Sequence, residues 1–151
     1  MAKQLELRRG TTQANNLFTG VVGEVTMDTD TKQLRVHDGV KTGGYAVDTL
    51  VAFQAPSAGN NYTWYRKYAS GWIEQGWRQT WSGAWTTVTL PVPMADANYT
   101  CTAGGYRTDG FPYQQTTCFK NYTTTTVDMW SSDDSSANPA EVRVLVVGMA
   151  A

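Results

Sequence analysis

The chain is expected to be all-β, and three features of its sequence carry that expectation. Short alternations of apolar and polar residues are separated by clusters of Gly, Asn, Asp, Ser and Thr. Aromatic residues are dense beside abundant Thr, and no long run of helix formers goes uninterrupted. These features divide between a small N-terminal β module and a larger antiparallel β-sandwich.

In the first part, Leu5 and Leu7 alternate with Glu6 and Arg8, and Val25 and Met27 alternate with Glu24, Thr26 and Asp28. This period of two predicts half-buried strands, each with one wet face. Asp28-Thr29-Asp30-Thr31 predicts a hairpin turn, because Asp and Thr side chains bond their own backbone there. Leu34 and Val36 resume the alternation on the return strand, which His37-Asp38-Gly39 closes. Asp28-Thr29-Asp30 superficially resembles a calcium loop but lacks the following Gly and the terminal Glu, so a hairpin is expected and no metal. A module of about fifty residues buries only about 60% of the surface its unfolded chain exposes. It is therefore expected to gain the missing burial by association, with Leu5, Leu7, Val25, Met27, Leu34 and Val36 as the contact surface between copies.

A composition shift marks the domain boundary. Residues 1–51 form the first module, and the small, polar, turn-rich stretch 52–61, with Pro56 and Gly59 as breakers, is expected to be a linker. Residues 62–151 hold all six Trp and seven of the eight Tyr. Strands are expected at Tyr62–Tyr68, Trp72–Gln79, Trp85–Leu90, Tyr99–Gly104, Gln114–Lys120, Thr124–Trp130 and Glu141–Val147, the spacing of a two-sheet sandwich. Within them Trp72, Trp77, Trp85 and Trp130 are expected in the core.

Candidate binding residues fall between strands. The segment 105–113 carries Tyr106, Arg107, Asp109, Phe111 and Tyr113, and aromatic side chains with Arg make large contact areas at low entropic cost. A second candidate is the loop 131–138 with Asp133 and Asp134. The competing reading is that these aromatics are ordinary sandwich core or contacts between copies. If 105–113 is a hairpin turn, Cys101 and Cys118 face each other across adjacent strands. A bridge is then conceivable, but two free buried thiols are expected of a chain made in a reducing cytoplasm.

A catalytic constellation is not found. The lone His37 sits in a module that reads as structural, and it is expected to be a satisfied turn or inter-copy contact. Asp133-Asp134 with Glu141 or Asp109 can be imagined as a glycosidase pair. However, adjacent aspartates in a Ser-rich loop are ordinarily solvated, and nothing around them would raise a pKa. No cofactor or zinc site is expected, since no CxxC pair exists. A charged fraction of 17% and a net charge of −1 give no electrostatic reason for nucleic-acid binding. No apolar run approaches the roughly 18 residues of a membrane span, and the start, Met1-Ala2-Lys3-Gln4, lacks a secretory apolar region. Synthesis in a cytoplasm without membrane insertion is expected.

Arg9-Gly10-Thr11-Thr12, Phe18-Thr19-Gly20, the run 24–30 and Val36-His37-Asp38-Gly39 with Gly43-Gly44 resemble the N-terminal domain of the phage major tropism determinant. In that family the segment is a small trimeric β-prism, so the resemblance implies a β-prism-like homotrimer here. Tyr65-Arg66-Lys67-Tyr68, the run 71–76, Val88-Thr89-Leu90-Pro91 and Asn98-Tyr99 are similar to C-terminal domains of enterobacterial phage tail fibres. The combination implies a virion tail-fibre or tailspike protein, made in the host cytoplasm, that joins other tail proteins. Its tip would adhere to a bacterial surface glycan or outer-membrane protein. The alternatives are a purely structural fibre or decoration segment and, third, a polysaccharide depolymerase.

Overall fold

A computed structural model describes residues 7–80, 84–106, 116–132 and 141–151. It is all-β, 50% strand and 7% helix, and it divides into two compact units, Met1–Thr49 and Leu50–Ala151.

The first unit is one four-stranded sheet with a short helix. Strand β1 (Arg8–Gly10) is followed by α1 (Thr12–Asn16), then β2 (Val25–Asp28), β3 (Leu34–Val36) and β4 (Tyr45–Ala46). The spatial order is β1-β2-β3-β4, with β1 parallel to β2 and the other pairs antiparallel. The expected hairpin over residues 25–36 is present, because the Asp28 side chain accepts the Asp30 and Thr31 N–H groups and so closes the turn. The helix was not expected. Its start is fixed by Thr11, whose hydroxyl accepts the Ala14 N–H at 3.2 Å.

The second unit carries two sheets. β5 (Leu50–Gln54), β6 (Trp64–Tyr68), β7 (Trp72–Thr80), β12 (Glu141–Met149) and β9 (Thr100–Tyr106) form one, in that spatial order. β10 (Thr116–Lys120), β11 (Thr126–Ser132) and β8 (Thr86–Thr89) form the other. The buried core draws on both: Ile73, Trp77, Val142, Val144 and Val146 from the five-stranded sheet, Val127 and Met129 from the three-stranded one, and Leu90, Met94 and Tyr99 between strands. Two buried polar groups tie the connecting segment 90–99 to this core. Gln75 donates to the Val92 carbonyl and accepts its N–H at 3.0 and 2.8 Å, and the Tyr99 hydroxyl is 3.0 Å from the carbonyls of Thr123 and Thr126.

Each of the seven strands expected beyond residue 61 has an observed counterpart, with ends displaced by a few residues. Three expectations need correction. Ala52–Gln54 of the expected linker lie in β5 and pair with Tyr65–Lys67, with a register shift between Leu50 and Ala52 that sets Leu50 opposite Tyr68 and Phe53 opposite Arg66. Cys101 and Cys118 are not cross-strand partners. β9 pairs with β12 and β10 with β11, so Cys101 stands opposite Val146 and Cys118 opposite Trp130, and both thiols are free with Cys118 exposed. Trp77 is buried as expected, but Trp72 and Trp85 are 41% and 44% exposed. Trp72 has the outward parity of a strand whose inward residues are Ile73, Gln75 and Trp77, and Trp85 precedes β8.

Candidate functional site

The first unit buries its polar face and bares its apolar one. Val25 pairs with Val36, Met27 with Leu34 and Val36 with Tyr45, which puts these side chains on one face of the sheet. On that face Leu34, Val36 and Tyr45 are 37%, 41% and 51% exposed, while Thr26 and Asp28 on the opposite face are fully buried. The face expected to be wet is thus the interior one. Leu7, just ahead of β1, is also exposed. Of the six residues expected at an inter-copy surface, Val25, Met27, Leu34 and Val36 share this face; Leu5 lies outside the described residues.

The buried face is held by a directional hydrogen-bond chain. The Gly20 N–H donates to His37 Nδ1 at 3.2 Å, so Nδ1 is an acceptor and the ring proton sits on Nε2, which lies 3.0 Å from the Thr26 hydroxyl. That hydroxyl in turn donates to Asn15 Oδ1 at 3.0 Å, and Asn15 Nδ2 donates to the carbonyls of Gly10 and Thr11 at 2.8 and 3.0 Å. One chain of donors therefore connects the segment before β2, the end of β3, β2 itself and α1. Gly20 is indispensable for close approach, since a Cβ there would come within 2.7 Å of the His37 ring.

Beside it lies a buried ion pair. Arg35 donates to Asp28 Oδ2 at 2.8 Å and to Asn16 Oδ1 and the Gly43 carbonyl, which ties β3 to α1 and to the loop before β4. The Thr12 hydroxyl donates to Asp28 Oδ1 at 2.9 Å. Burial by itself would raise the Asp28 pKa. The bonds from Arg35, the Thr31 N–H, Thr12 and the Asp30 N–H outweigh it and hold the carboxyl at about 2.

In the second unit, a cleft of about 360 Å³ is lined by Tyr62, Trp64, Trp77, Arg78, Glu141 and Arg143 among others. Antiparallel register builds it. β12 sets Arg143 opposite Arg78, and β6 sets Trp64 opposite Gly76, where a methyl group would come within 2.8 Å of the Trp64 indole nitrogen. Glu141, 5% exposed, is paired with Arg78 at 2.5 Å and with Arg143 at 3.4 Å. Arg78 also lies over the Tyr62 ring at 5.4 Å.

Of the residues expected to touch a receptor, Tyr106 ends β9, opposite Glu141, with its side chain outside the described part. Arg107, Asp109, Phe111, Tyr113, Asp133 and Asp134 lie outside the described residues. Sequence reasoning passed over the cleft, because Tyr62 and Trp64 sit at the start of one strand and Glu141 at the start of another almost eighty positions later. The β6–β7 and β7–β12 registers together join them.

In the first unit, then, a largely exposed apolar sheet face lies over a polar interior. Residues 5–41 match the family model described as the Major tropism determinant N-terminal domain. The tail fiber receptor-binding protein of Bordetella phage BPP-1 is 42% identical over 45 residues, which are 30% of this chain and 12% of that protein. The chain thus spans a small part of the relative's length. Among solved structures, the Major Tropism Determinant P3c variant is 31% identical, with 42% of this chain and 20% of that chain covered and a TM-score of 0.29. An N-truncated R1-type pyocin tail fiber is 18% identical, with 66% and 88% covered and a TM-score of 0.48. The chain resembles phage tail-fibre receptor-binding proteins.

Proposed function

We propose that this chain is part of a phage tail-fibre or tailspike receptor-binding protein that attaches the virion to the host bacterial surface. In this reading residues 1–51 form a trimerisation and attachment module of β-prism type, joined to other tail proteins, and residues 62–151 form the receptor-binding tip. The observation that carries it is the inverted first sheet: Leu34, Val36 and Tyr45, beside a half-buried Met27, form a bare stripe that a lone copy has no reason to keep. Three copies around an axis would bury that stripe and present three receptor sites at once, which multiplies weak affinities. The module's match to the major tropism determinant domain supports the same reading.

The role is adhesion, without a catalytic step. His37, the one histidine in the chain, has both ring nitrogens engaged in the interior of the first unit, where it can serve no substrate.

Sedimentation of the purified chain with Val36→Asp as comparison tests the assembly. Wild type is expected as a trimer and the variant as a monomer near 16.6 kDa; a monomeric wild type would remove the premise. Adsorption to intact bacteria, competed by excess unlabelled protein, tests the adhesion. A trimer that adsorbs to no host cell would be a structural segment instead.

A further inference from the structure

The three-stranded sheet of the second unit has an outer face, and strand register sets what stands on it. Val127 and Met129 are fully buried, so Asp128 and Trp130, which alternate with them in β11, point away from the core. Lys120 of β10 stands opposite Asp128, and Asp128 opposite Thr87 of β8, which makes one polar row across the face. The next row is aromatic. Trp85, just ahead of β8, lies beside the half-buried Trp130 with ring centroids 6.3 Å apart and planes inclined by 31°, and it keeps 44% of its surface exposed. Two indoles of similar tilt thus form a ledge.

The polar row is fixed beside that ledge. The Thr87 hydroxyl donates to Asp128 Oδ1 at 2.6 Å and Asn121 Nδ2 donates to Oδ2 at 2.7 Å. These bonds hold the carboxyl below its usual range, so it stays ionised at neutral pH with lone pairs left for further donors. Lys120 reaches across β11 and sets its Nζ 3.8 Å from the centroid of the Trp85 ring. An exposed cation–π contact of this kind is weak, so the ammonium is readily given to another acceptor.

The face suits a polyol better than a protein. Its remaining described side chains, Thr89, Thr126 and Cys118, include no large aliphatic group, in contrast to the Leu34 and Val36 stripe of the first unit. The core of a protein interface is apolar and depleted of charge, whereas here a lysine and a carboxylate adjoin the indoles. A pyranose ring has the matching chemistry: one face of C–H groups to lie on an indole, and hydroxyls around its edge to meet both charges.

We propose that this ledge binds hexopyranose units of a surface glycan, stacked on Trp85 and Trp130, with ring hydroxyls donating to Asp128 and accepting from Lys120. It rests on the adhesion reading above and names both the ligand class and the place where it is held. Recognition comes from stacking and hydrogen bonds, so net charge on the glycan contributes little.

The test is binding of the labelled full chain to an array of purified bacterial O-polysaccharides and capsular polysaccharides, followed by titration of those bound. At least one should bind, with an affinity that changes less than about threefold between about 0.05 and 0.5 M salt. The informative variant is Trp85→Ala, because Trp85 lies outside the buried core and its loss leaves the fold intact. It should weaken binding at least about tenfold, while Trp85→Phe, which keeps a flat ring, should retain most of it. The proposal is overturned if no polysaccharide binds, if high salt abolishes binding, or if Trp85→Ala binds like wild type. It is also overturned if Trp85→Ala sediments as a smaller species than wild type, since the ledge would then be a contact between copies. Adsorption to host cells separates the two readings. Wild type and Trp85→Ala adsorbing equally would sink the ledge and leave adhesion standing, whereas Trp85-dependent glycan binding without any cell adsorption would do the reverse.

Discussion

Replacing Asp28 with Ala should unfold the first unit's interior ahead of anything else in it. Asp28 is fully buried and accepts four hydrogen bonds, from Arg35 at 2.8 Å, the Thr12 hydroxyl at 2.9 Å and the N–H groups of Asp30 and Thr31 at 3.1 and 3.2 Å. The substitution leaves the Arg35 guanidinium, on a side chain 11% exposed, without its counter-ion. Breaking one partner of a buried ion pair costs about 3–5 kcal/mol, and the low end applies here because water lies close to every part of so small a module. About 3 kcal/mol corresponds to a roughly hundredfold larger locally opened population, and to exchange faster by the same factor. Tryptophan emission is blind to this, since every Trp lies at residue 64 or beyond. The assay is therefore amide hydrogen exchange at residues 25–37, compared at one protein concentration because association adds stability of its own. Adding Arg35→Met to Asp28→Ala should recover much of the protection, because no uncompensated charge then remains. Exchange in the single variant within threefold of wild type would refute the claim that this pair holds the sheet to its helix.

The pH dependence follows from the same carboxylate: its folded pKa of about 2 lies below its ordinary 3.8, so its stabilising effect is complete above about pH 4. That effect should fade as pH falls through 2, and hydrogen exchange in residues 25–37 that is as slow at pH 2 as at pH 5, after correction for intrinsic rates, would contradict it. Tyr99→Phe removes the hydroxyl shared by the Thr123 and Thr126 carbonyls, and should cost the second unit about 1–2 kcal/mol in urea unfolding followed by tryptophan emission. The two thiols should differ in reactivity. Burial pushes Cys101 up to about 11 although Tyr122 bonds it, whereas Cys118 is exposed, so iodoacetamide at pH 8 should label Cys118 first by mass spectrometry.

Strands were legible where one face meets a hydrocarbon core. In β12, Val142, Val144 and Val146 are buried while Arg143 and Leu145 are exposed, so the alternation states the orientation outright. In the first unit the same alternation located β2 and β3 but reversed their meaning, because the side treated as wet, Thr26 and Asp28, is satisfied by Asn15, His37, Arg35 and Thr12. A polar residue facing water and one facing a complete set of partners look identical in a sequence. The helix α1 was invisible for a related reason: five residues are too few for a periodic signal, and its role is to deliver one amide, Asn15.

Residue order was therefore enough to establish the β architecture, the hairpin over 25–36 and the strand spacing beyond residue 61, since these follow from local periodicity and composition. The sheet-switching that separates Cys101 from Cys118, the polar interior around His37 and the cleft joining Tyr62 and Trp64 to Glu141 were settled by strand register. Register is a relation between positions tens of residues apart, decided by which side chains and backbone groups can all be satisfied at once, and no local stretch of the chain encodes it alone.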